Sequence, residues 1–488
     1  MTERPSDEGS DLPEAVAGSR WLVRAVPALV IGAGVVAMAA AMLVAARSGL
    51  GAKDSRTVTI GPVDVLIVYT TPSLLMVAAG LLTALALVLL VNGIDAWAAR
   101  RVTRPARRPS RGSVRALRSE ATMNREPGPL RVTALIPACN EELHLPNTLR
   151  SLKAQTAPPA SVWVIADNCT DGTADVARAH GASVYTTVDN RHRKAGGLNQ
   201  LLARLLPTLG PVDVVLVMDA DTVMVDDFLA RAVAELEALP ELDAVGGVFF
   251  GDDTPGLLAQ MQRNEYRRYA RDISRRHGRV FVLTGTASLF RSDALAAVAD
   301  ARGWALPGSP GQVYDTISLT EDNELTLALK TLGARTLSPR ECRVRTELMP
   351  TWTDLWHQRQ RWQRGALENI GMYGLSSATT RYWLQQFGLG YGVLALFSYL
   401  LVTFLAYVAF GVFTVVVFWA LIGALFAVER TATVWSEGWR ARLIAAILLV
   451  ELGYAIFLQA VYVKSLLDIA TGRSKHWNAA VVASRTPA

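Results

Sequence analysis

Cysteine is nearly absent from this chain of 488 residues: Cys139, Cys169 and Cys342 form an odd set without metal-ligand spacing. Such usage excludes a disulfide-stapled secreted scaffold and fits a reduced cytosolic domain. Charge is scarce too. Only 19% of residues are charged against 51% hydrophobic, and the charges gather in the middle of the sequence. The first 25 residues are polar and mixed in sign, without the basic start of a cleaved secretory signal. No internal repeat is visible. The net charge of +6 would suit nucleic acid, yet Arg100 to Arg118 alone supplies eight arginines and no acid. Beside an apolar segment, such a block sets membrane orientation. It also lacks interleaved aromatics for base stacking, so no nucleic-acid partner is expected.

What is present divides the chain by composition. Val26–Ala46 is uncharged and long enough to cross a bilayer at about 1.5 Å per residue. A linker with Gly49, Gly51, Gly61 and Pro62 leads to a second span, Pro72–Val91. The arginine block then places everything after residue 100 in the cytoplasm, with both ends of this hairpin inside. The chain therefore reads as a multi-pass plasma-membrane protein whose partners include the lipid bilayer. Beyond Tyr373 the apolar pattern returns: Tyr382–Val428 is 47 residues without a formal charge, enough for two spans. Leu443–Val463 is a further candidate, interrupted by Glu451, a costly residue in a span that could face a channel or pair with a partner. Two spans plus one would leave the basic Lys464–His476 segment outside. One interfacial helix and one span in the 47-residue run would bring it back, and both arrangements stay open. The expected order is a cytoplasmic tail (1–25), two transmembrane helices (26–98), a basic juxtamembrane linker (99–129), a cytoplasmic domain (130–350), amphipathic interface helices (351–380), two or three C-terminal transmembrane helices (381–467) and a tail (468–488).

From Arg131 the sequence alternates short β-rich runs with helical ones. Strands are predicted at Val132–Pro137, Val162–Ala166, Val214–Met218, Ala244–Phe250 and Val280–Leu283, and helices at Leu145–Gln155, Thr173–His180 and Leu198–Leu206. This alternation implies an α/β domain with a mainly parallel sheet. Ligands in such sheets bind beyond the carboxyl ends of the strands. The polar motifs fall there.

Asp219-Ala-Asp221 follows an apolar strand, and two carboxylates so placed can share Mg²⁺ or Mn²⁺ with a diphosphate. Alone the motif would more often be a solvated turn. Pro137-Ala138-Cys-Asn140-Glu141 ends the first strand and Asp167-Asn-Cys-Thr-Asp171-Gly-Thr173 the second. Asp171 and Thr173 suit a helix start, while Asp167 could accept from the imide N–H of uracil. Arg191-His-Arg-Lys194-Ala-Gly-Gly197 joins cations to glycines near a helix start, an arrangement for phosphate or simply a basic surface loop. Thr320-Glu321-Asp322 is a good helix start, and Asp322 is also a candidate general base. In the amphipathic stretch Trp352–Ala366, helical spacing sets Gln358, Arg361 and Trp362 on one face. The same helix could merely lie on a bilayer.

Taken in order, Asp167, Asp219-x-Asp221, Thr320-Glu-Asp322 and Gln358-x-x-Arg361-Trp362, set between apolar segments, resemble the processive family-2 glycosyltransferases. These include the cellulose, hyaluronan, chitin and poly-N-acetylglucosamine synthases. The resemblance covers Val132 to Tyr373 and implies a GT-A fold inserted between transmembrane helices. It further implies a catalytic set of Asp322, Glu321, Arg361, Trp362 and Gln358. The nucleotide sugar would meet Pro137, Ala138, Asn140, Glu141, Asp167, Lys194, Asp219 and Asp221, with Asp221 and Asp219 serving the Mg²⁺ or Mn²⁺. Thr284, Gly285, Thr286 and Trp362 would face the acceptor. The implied reaction is inverting transfer from a UDP-sugar, UDP-GlcNAc first and UDP-glucose second, to a growing β-linked polysaccharide, with export of the product and an accessory membrane subunit as further expectations. Transfer of one sugar to a lipid acceptor and a non-catalytic nucleotide-binding scaffold are the competing readings. No Phe-x-Val-Thr-Lys-like gating segment follows residue 373, unlike in cellulose synthases.

Overall fold

The computed structural model describes residues 55–61, 63–68, 125 and 128–473. The expected spans Val26–Ala46 and Pro72–Val91, the arginine block and both terminal tails lie outside them. The linker between those two spans holds a hairpin, β1 (Ser55–Ile60) and β2 (Val63–Val68), turning at Gly61 with a φ of 60°.

The α/β unit follows in the order β3 (Arg131–Ala138), α1 (Leu145–Lys153), β4 (Ser161–Ala166), α2 (Thr173–Ala179), β5 (Ser183–Thr186), α3 (Arg193–Leu205), β6 (Asp213–Met218), β7 (Val223–Met224), α4 (Phe228–Ala238), β8 (Leu242–Gly246), β9 (Val248–Gly251), α5 (Leu257–Arg275), β10 (Ala287–Arg291), α6 (Ser292–Ala301), α7 (Glu321–Thr331), β11 (Arg335–Leu337) and β12 (Arg343–Thr346). Seven strands form one sheet, in the order β11-β8-β10-β6-β3-β4-β5. All its pairs are parallel except those of β10, which runs antiparallel to β6 and β8. The sheet is therefore mixed.

Alternation along the central strands fills two cores. Leu135, Val215 and Val217 face α3, α6 and α7 through Leu198, Leu295 and Leu325. Ala134, Ile136, Leu216 and Met218 face α1 and α4 through Leu149 and Phe228. Burial on both faces explains why these strands read as continuous apolar runs.

Two strand expectations need correction. Ala244–Phe250 is not one strand. It breaks between Gly246 and Gly247, where a Cβ on Gly247 would meet the Ala287 carbonyl oxygen at 3.0 Å, and β9 departs to a second sheet with β7 and β12. Val280–Leu283 is a loop, not a strand, with Val280 and Leu283 buried and Phe281 and Val282 half-buried. Its apolar side chains satisfy the core, while its backbone is held by α7: Lys330 donates to the carbonyls of Val280 (2.6 Å) and Phe281 (3.1 Å), and Leu283 N–H donates to Thr326 Oγ1 (2.9 Å). The strand lies further on, at β10.

The remaining elements are α8 (Trp352–Tyr373), α9 (Thr380–Phe410), β13 (Val412–Val416), α10 (Val417–Thr433), α11 (Trp439–Ala446) and α12 (Leu448–Ala470). The 47-residue uncharged run is interrupted by β13, which pairs in parallel with β2. Among the described residues, α9 (as Thr380–Ala409) and α12 are long and apolar enough to cross a membrane by length and composition.

Candidate active site

Six connections meet at the carboxyl edge of the sheet: those after β3, β4, β5 and β6, and those before β10 and α7. The ends of β3 and β4 are zipped together: Ala138 O accepts from Asp167 N–H (2.9 Å), Asn140 Oδ1 accepts from Thr170 N–H (2.8 Å), and Glu141 N–H donates to Thr173 Oγ1 (2.8 Å). Pro137 and Ala138 are the last buried residues of β3, so they meet the cleft through backbone. Asn140 and Asn168 adopt the left-handed conformation, with φ of 57° and 51°, which asparagine tolerates. Asp171 behaves as its position after a strand predicts: its Oδ1 accepts from Thr173 N–H (3.0 Å) and anchors the start of α2.

Asp167 is buried. Its Oδ1 accepts from Asn190 Nδ2 (2.7 Å), Thr187 Oγ1 (2.8 Å) and Asn168 Nδ2 (3.1 Å). The glycines of the basic motif also have a packing role. A Cβ on Gly196 would collide with the Asn190 amide, and one on Gly197 would sit 3.1 Å from Ile165 Cγ2. Both glycines let α3 pack closely on its neighbours.

Lys194, in the first turn of α3, points into the cleft and is the hub of its charges. Its Nζ lies 2.6 Å from Asp219 Oδ1 and 3.4 Å from Glu321 Oε1. Burial opposes its positive charge, but Asp219 and Glu321 outweigh that and raise its pKa above the usual lysine value. Glu321 is likewise disfavoured by burial, yet Lys194 and then Arg361 hold its carboxyl below the usual range. Helix α8 packs on the start of α7, where Asn369 Nδ2 donates to Thr320 Oγ1 at 3.2 Å.

Asp322 behaves oppositely. Burial, then the neighbouring Glu321 charge, pushes its pKa up to about 6, against the pull of Lys194. Its Oδ2 accepts from Gly285 N–H at 3.1 Å and its Oδ1 from Asn323 N–H at 2.7 Å. Thr284-Gly285-Thr286 therefore belongs to the same cleft, and Thr286 O accepts from Asp219 N–H at 3.2 Å. Lys194, Thr284, Gly285, Tyr314, Glu321 and Asp322 line one small cavity.

Thr320 stands where the sequence expects a helix start, directly before α7; its carbonyl accepts from Glu324 N–H (3.0 Å), while its side chain makes no bond to the first turn. Its hydroxyl accepts from Asn369 Nδ2 (3.2 Å) and presses on Gly365 of α8, where a Cβ would come within 2.7 Å of Thr320 Cγ2. The side chain joins the two helices. Sequence reasoning also missed Arg359, the middle of the Gln-Arg-Gln-Arg-Trp run. Its guanidinium lies 4.3 Å from the Trp362 ring centroid and 2.9 Å from Glu265 Oε2, fixing the indole by a cation–π contact. Tyr314 was missed as well, having no motif around it. Asn199 holds its backbone from α3 by two hydrogen bonds, at 2.8 and 2.9 Å.

Asp219 and Asp221 offer hard oxygen donors, and among the described residues no group of three or more potential ligands is present. Two carboxylates with diphosphate and water completing the shell suit Mg²⁺ or Mn²⁺, so the donor set fits such an ion.

The family described as "Glycosyltransferase like family 2" matches residues 127–365. The poly-beta-1,6-N-acetyl-D-glucosamine synthase of Staphylococcus aureus is 26% identical over 244 residues, 49% of this chain and 55% of that protein. Its namesake from Staphylococcus epidermidis is 24% identical over 243 residues, with the same shares. The chain thus spans about half the length of these relatives. Among solved structures, a mannosyltransferase from Pyrobaculum calidifontis in complex with GDP-Man and Mn²⁺ aligns at 17% identity and a TM-score of 0.45, covering 80% of this chain and 99% of that one. Residues 1–349 of S. aureus TarS in complex with UDP align at 16% and 0.35, covering 72% and 94%. Residues 127–365 of the chain, which hold the mixed α/β sheet and its cleft, thus carry the similarity to family 2 glycosyltransferases.

Proposed function

We propose that the enzyme is an inverting, metal-dependent hexosyltransferase that adds sugar from a UDP-sugar to a growing β-linked polysaccharide. UDP-GlcNAc is the preferred donor and UDP-glucose the second choice. The observation that carries this reading is the convergence of Asp322, Gly285, Lys194 and Asp219 on one cleft: Lys194 meets Asp219 at 2.6 Å and Gly285 meets Asp322 at 3.1 Å, and the two pairs are linked through Thr286 (3.2 Å) and Glu321 (3.4 Å). The family match and the synthases named above support it.

In this reading Asp322 takes the proton from the acceptor hydroxyl. A carboxylate with a pKa near 6 is ionised at neutral pH and still basic enough to help. The hydroxyl oxygen attacks the anomeric carbon from the face opposite UDP, so an α-linked donor gives a β-glycoside. Asp221 and Asp219 would hold Mg²⁺ or Mn²⁺, which supplies positive charge to the departing diphosphate. Lys194 and Arg361 add fixed positive charge there, and prepositioned charge of this kind is a large term in catalysis. The Oδ2 of Asp167, opposite the oxygen held by Asn190, takes the uracil imide N–H. Gln358 and Trp362 line the acceptor end with the Thr284–Thr286 loop. The catalytic domain (130–350) would sit on the cytoplasmic face, between spans within 26–98 and helices within 381–467.

Membranes containing the protein, screened against radiolabelled UDP-sugars, test the proposal. Transfer from one UDP-sugar is expected, with high-molecular-weight product on a sizing gel, and Asp322→Asn should abolish transfer while UDP still binds. A single-sugar glycolipid product would replace polymerisation by lipid glycosylation. Full turnover in the variant would remove the base assignment.

A further inference from the structure

Helix α12 passes a length-and-hydropathy test for a membrane span, yet its contacts oppose that role. Near its start, Glu451 is paired with Arg268 of α5 at 3.0 Å, and Tyr454 OH donates to Glu265 of the same helix at 2.6 Å. Near its end, Asp468 accepts from Gln360 of α8 at 2.6 Å. Just beyond it, Arg473 O accepts from Arg364 at 2.7 Å. Between these, Phe457 packs on Trp352 and Trp356, and Ser465 reaches the Gln360 carbonyl. The contacts advance in step along both chains, so α8 and α12 lie side by side and parallel.

Helices packed along their length share one depth. The sequence of α8 includes Asp354, Arg359, Arg361, Arg364 and Glu368, which hydrocarbon would exclude at several positions in succession. It also carries the site's Trp362. Hence α12 lies wherever α8 lies, at the surface of the catalytic domain. Its other face is an unbroken apolar stripe: Leu449, Gly453, Ile456, Ala460, Val463 and Leu467, all exposed, at alternating steps of four and three. By contrast, none of the most apolar window of α9 is buried, against 39% of the α12 window. Preceding the stripe, Trp435 and Trp439 are exposed, with Arg442 over the first indole and Arg440 over the second. Indole and guanidinium together suit the headgroup zone of a bilayer.

We propose that α12 lies flat in the lipid interface, apolar stripe toward the acyl chains and polar face toward α5 and α8, and does not cross the membrane. This rests on the membrane reading above and deepens it. Glu451 then needs no channel, since its partner is Arg268. Arg473, Lys475 and His476 stay on the cytoplasmic side, which removes the conflict between an odd number of C-terminal spans and the positive-inside rule. The arrangement also ties the bilayer to the site, because Tyr454 shares Glu265 with Arg359, which holds Trp362.

The test places single cysteines in the full-length protein at Ser55→Cys, Ser436→Cys and Thr471→Cys. A membrane-impermeant maleimide is applied to intact cells and to inverted vesicles, and labelled peptides are read by mass spectrometry, with exposed Cys139 marking the cytoplasmic side. Positions 436 and 471 should label with Cys139 in inverted vesicles only. Labelling of position 471 in intact cells would mean that α12 crosses, and the proposal falls. Position 55 should label only in intact cells; if it labels with Cys139 instead, the membrane-spanning reading fails separately. Spin labels at Leu449→Cys, Ile456→Cys and Val463→Cys should then report one common depth. A steady change of about 10 Å per seven residues, or no lipid contact at any of the three, overturns the flat placement.

Discussion

Asp322 stands between two opposed fields: Glu321 and burial favour its protonated form, Lys194 its charged form. A base must be ionised to act, so kcat/KM should fall tenfold per pH unit below about pH 6 and level off above it. Removing the cation takes away the largest of the influences that lower the pKa, leaving the N–H groups of Asn323 and Gly285. Lys194→Met should therefore move this acidic limb to higher pH, in addition to lowering the rate. A pH–rate profile of both proteins decides; an unmoved limb would show that another group titrates. The acid Asp322 was legible from its motif, but the value that makes it useful was not. That value depends on Gly285 and Lys194, distant in sequence, closing over it.

At the scale of elements, catalysis depends on how α7 is seated. Thr320 at its start presses on Gly365 of α8 with no room for a methyl group. Gly365→Ala should cost about 1–3 kcal/mol through overpacking and displace Asp322, lowering kcat. Thr320→Ala in that background removes the nearest atoms and should recover part of the loss, by melting temperature and by rate. One turn inside α7, Glu324 is fully buried against Arg302 and accepts from Tyr373 at the end of α8. Breaking such a pair leaves one buried charge alone, so Arg302→Met should destabilise by about 3–5 kcal/mol. Arg302→Met with Glu324→Leu should be markedly less damaging, and a double variant as unstable as the single would show that the pair is not the seat. Strands and helices with strong periodicity were legible, β3, β4 and β6 within a residue or two. What misled was buried backbone satisfied by side chains: Val280–Leu283 has the apolarity of a strand because Lys330 and Thr326 replace its ladder. Thr320 was legible as a helix start, but composition cannot reveal that its side chain faces a glycine on another helix.

For the whole molecule, the proposed function makes turnover dependent on a divalent ion held at residues 219 and 221. Treatment with EDTA should abolish transfer and Mn²⁺ or Mg²⁺ restore it, while activity that survives exhaustive chelation would remove the metal from the proposal. The membrane region makes a different demand. Strand β13 interrupts an apolar run, and a lone strand in hydrocarbon would leave its backbone unpaired at several kcal/mol per group. Its parallel pairing with β2 satisfies one edge, with Val415 opposite Ile67. A three-stranded sheet with open edges still needs water, so the proposed membrane arrangement puts β1, β2 and β13 beyond the bilayer, away from α5 and α8. Helix α9, 31 residues and about 46 Å long, can reach there, and the C-terminal end of α10 returns to the catalytic domain, where Arg271 of α5 meets Glu429 at 2.7 Å. Neighbouring strands lie about 4.8 Å apart, within disulfide reach. Ile67→Cys with Val415→Cys should therefore yield a linked peptide pair by mass spectrometry without reductant, and Val65→Cys with Val415→Cys, two residues out of register, should not. Equal linkage in both pairs, or in neither, would mean that the apolar run crosses without this sheet and that the two halves of the membrane region are joined elsewhere.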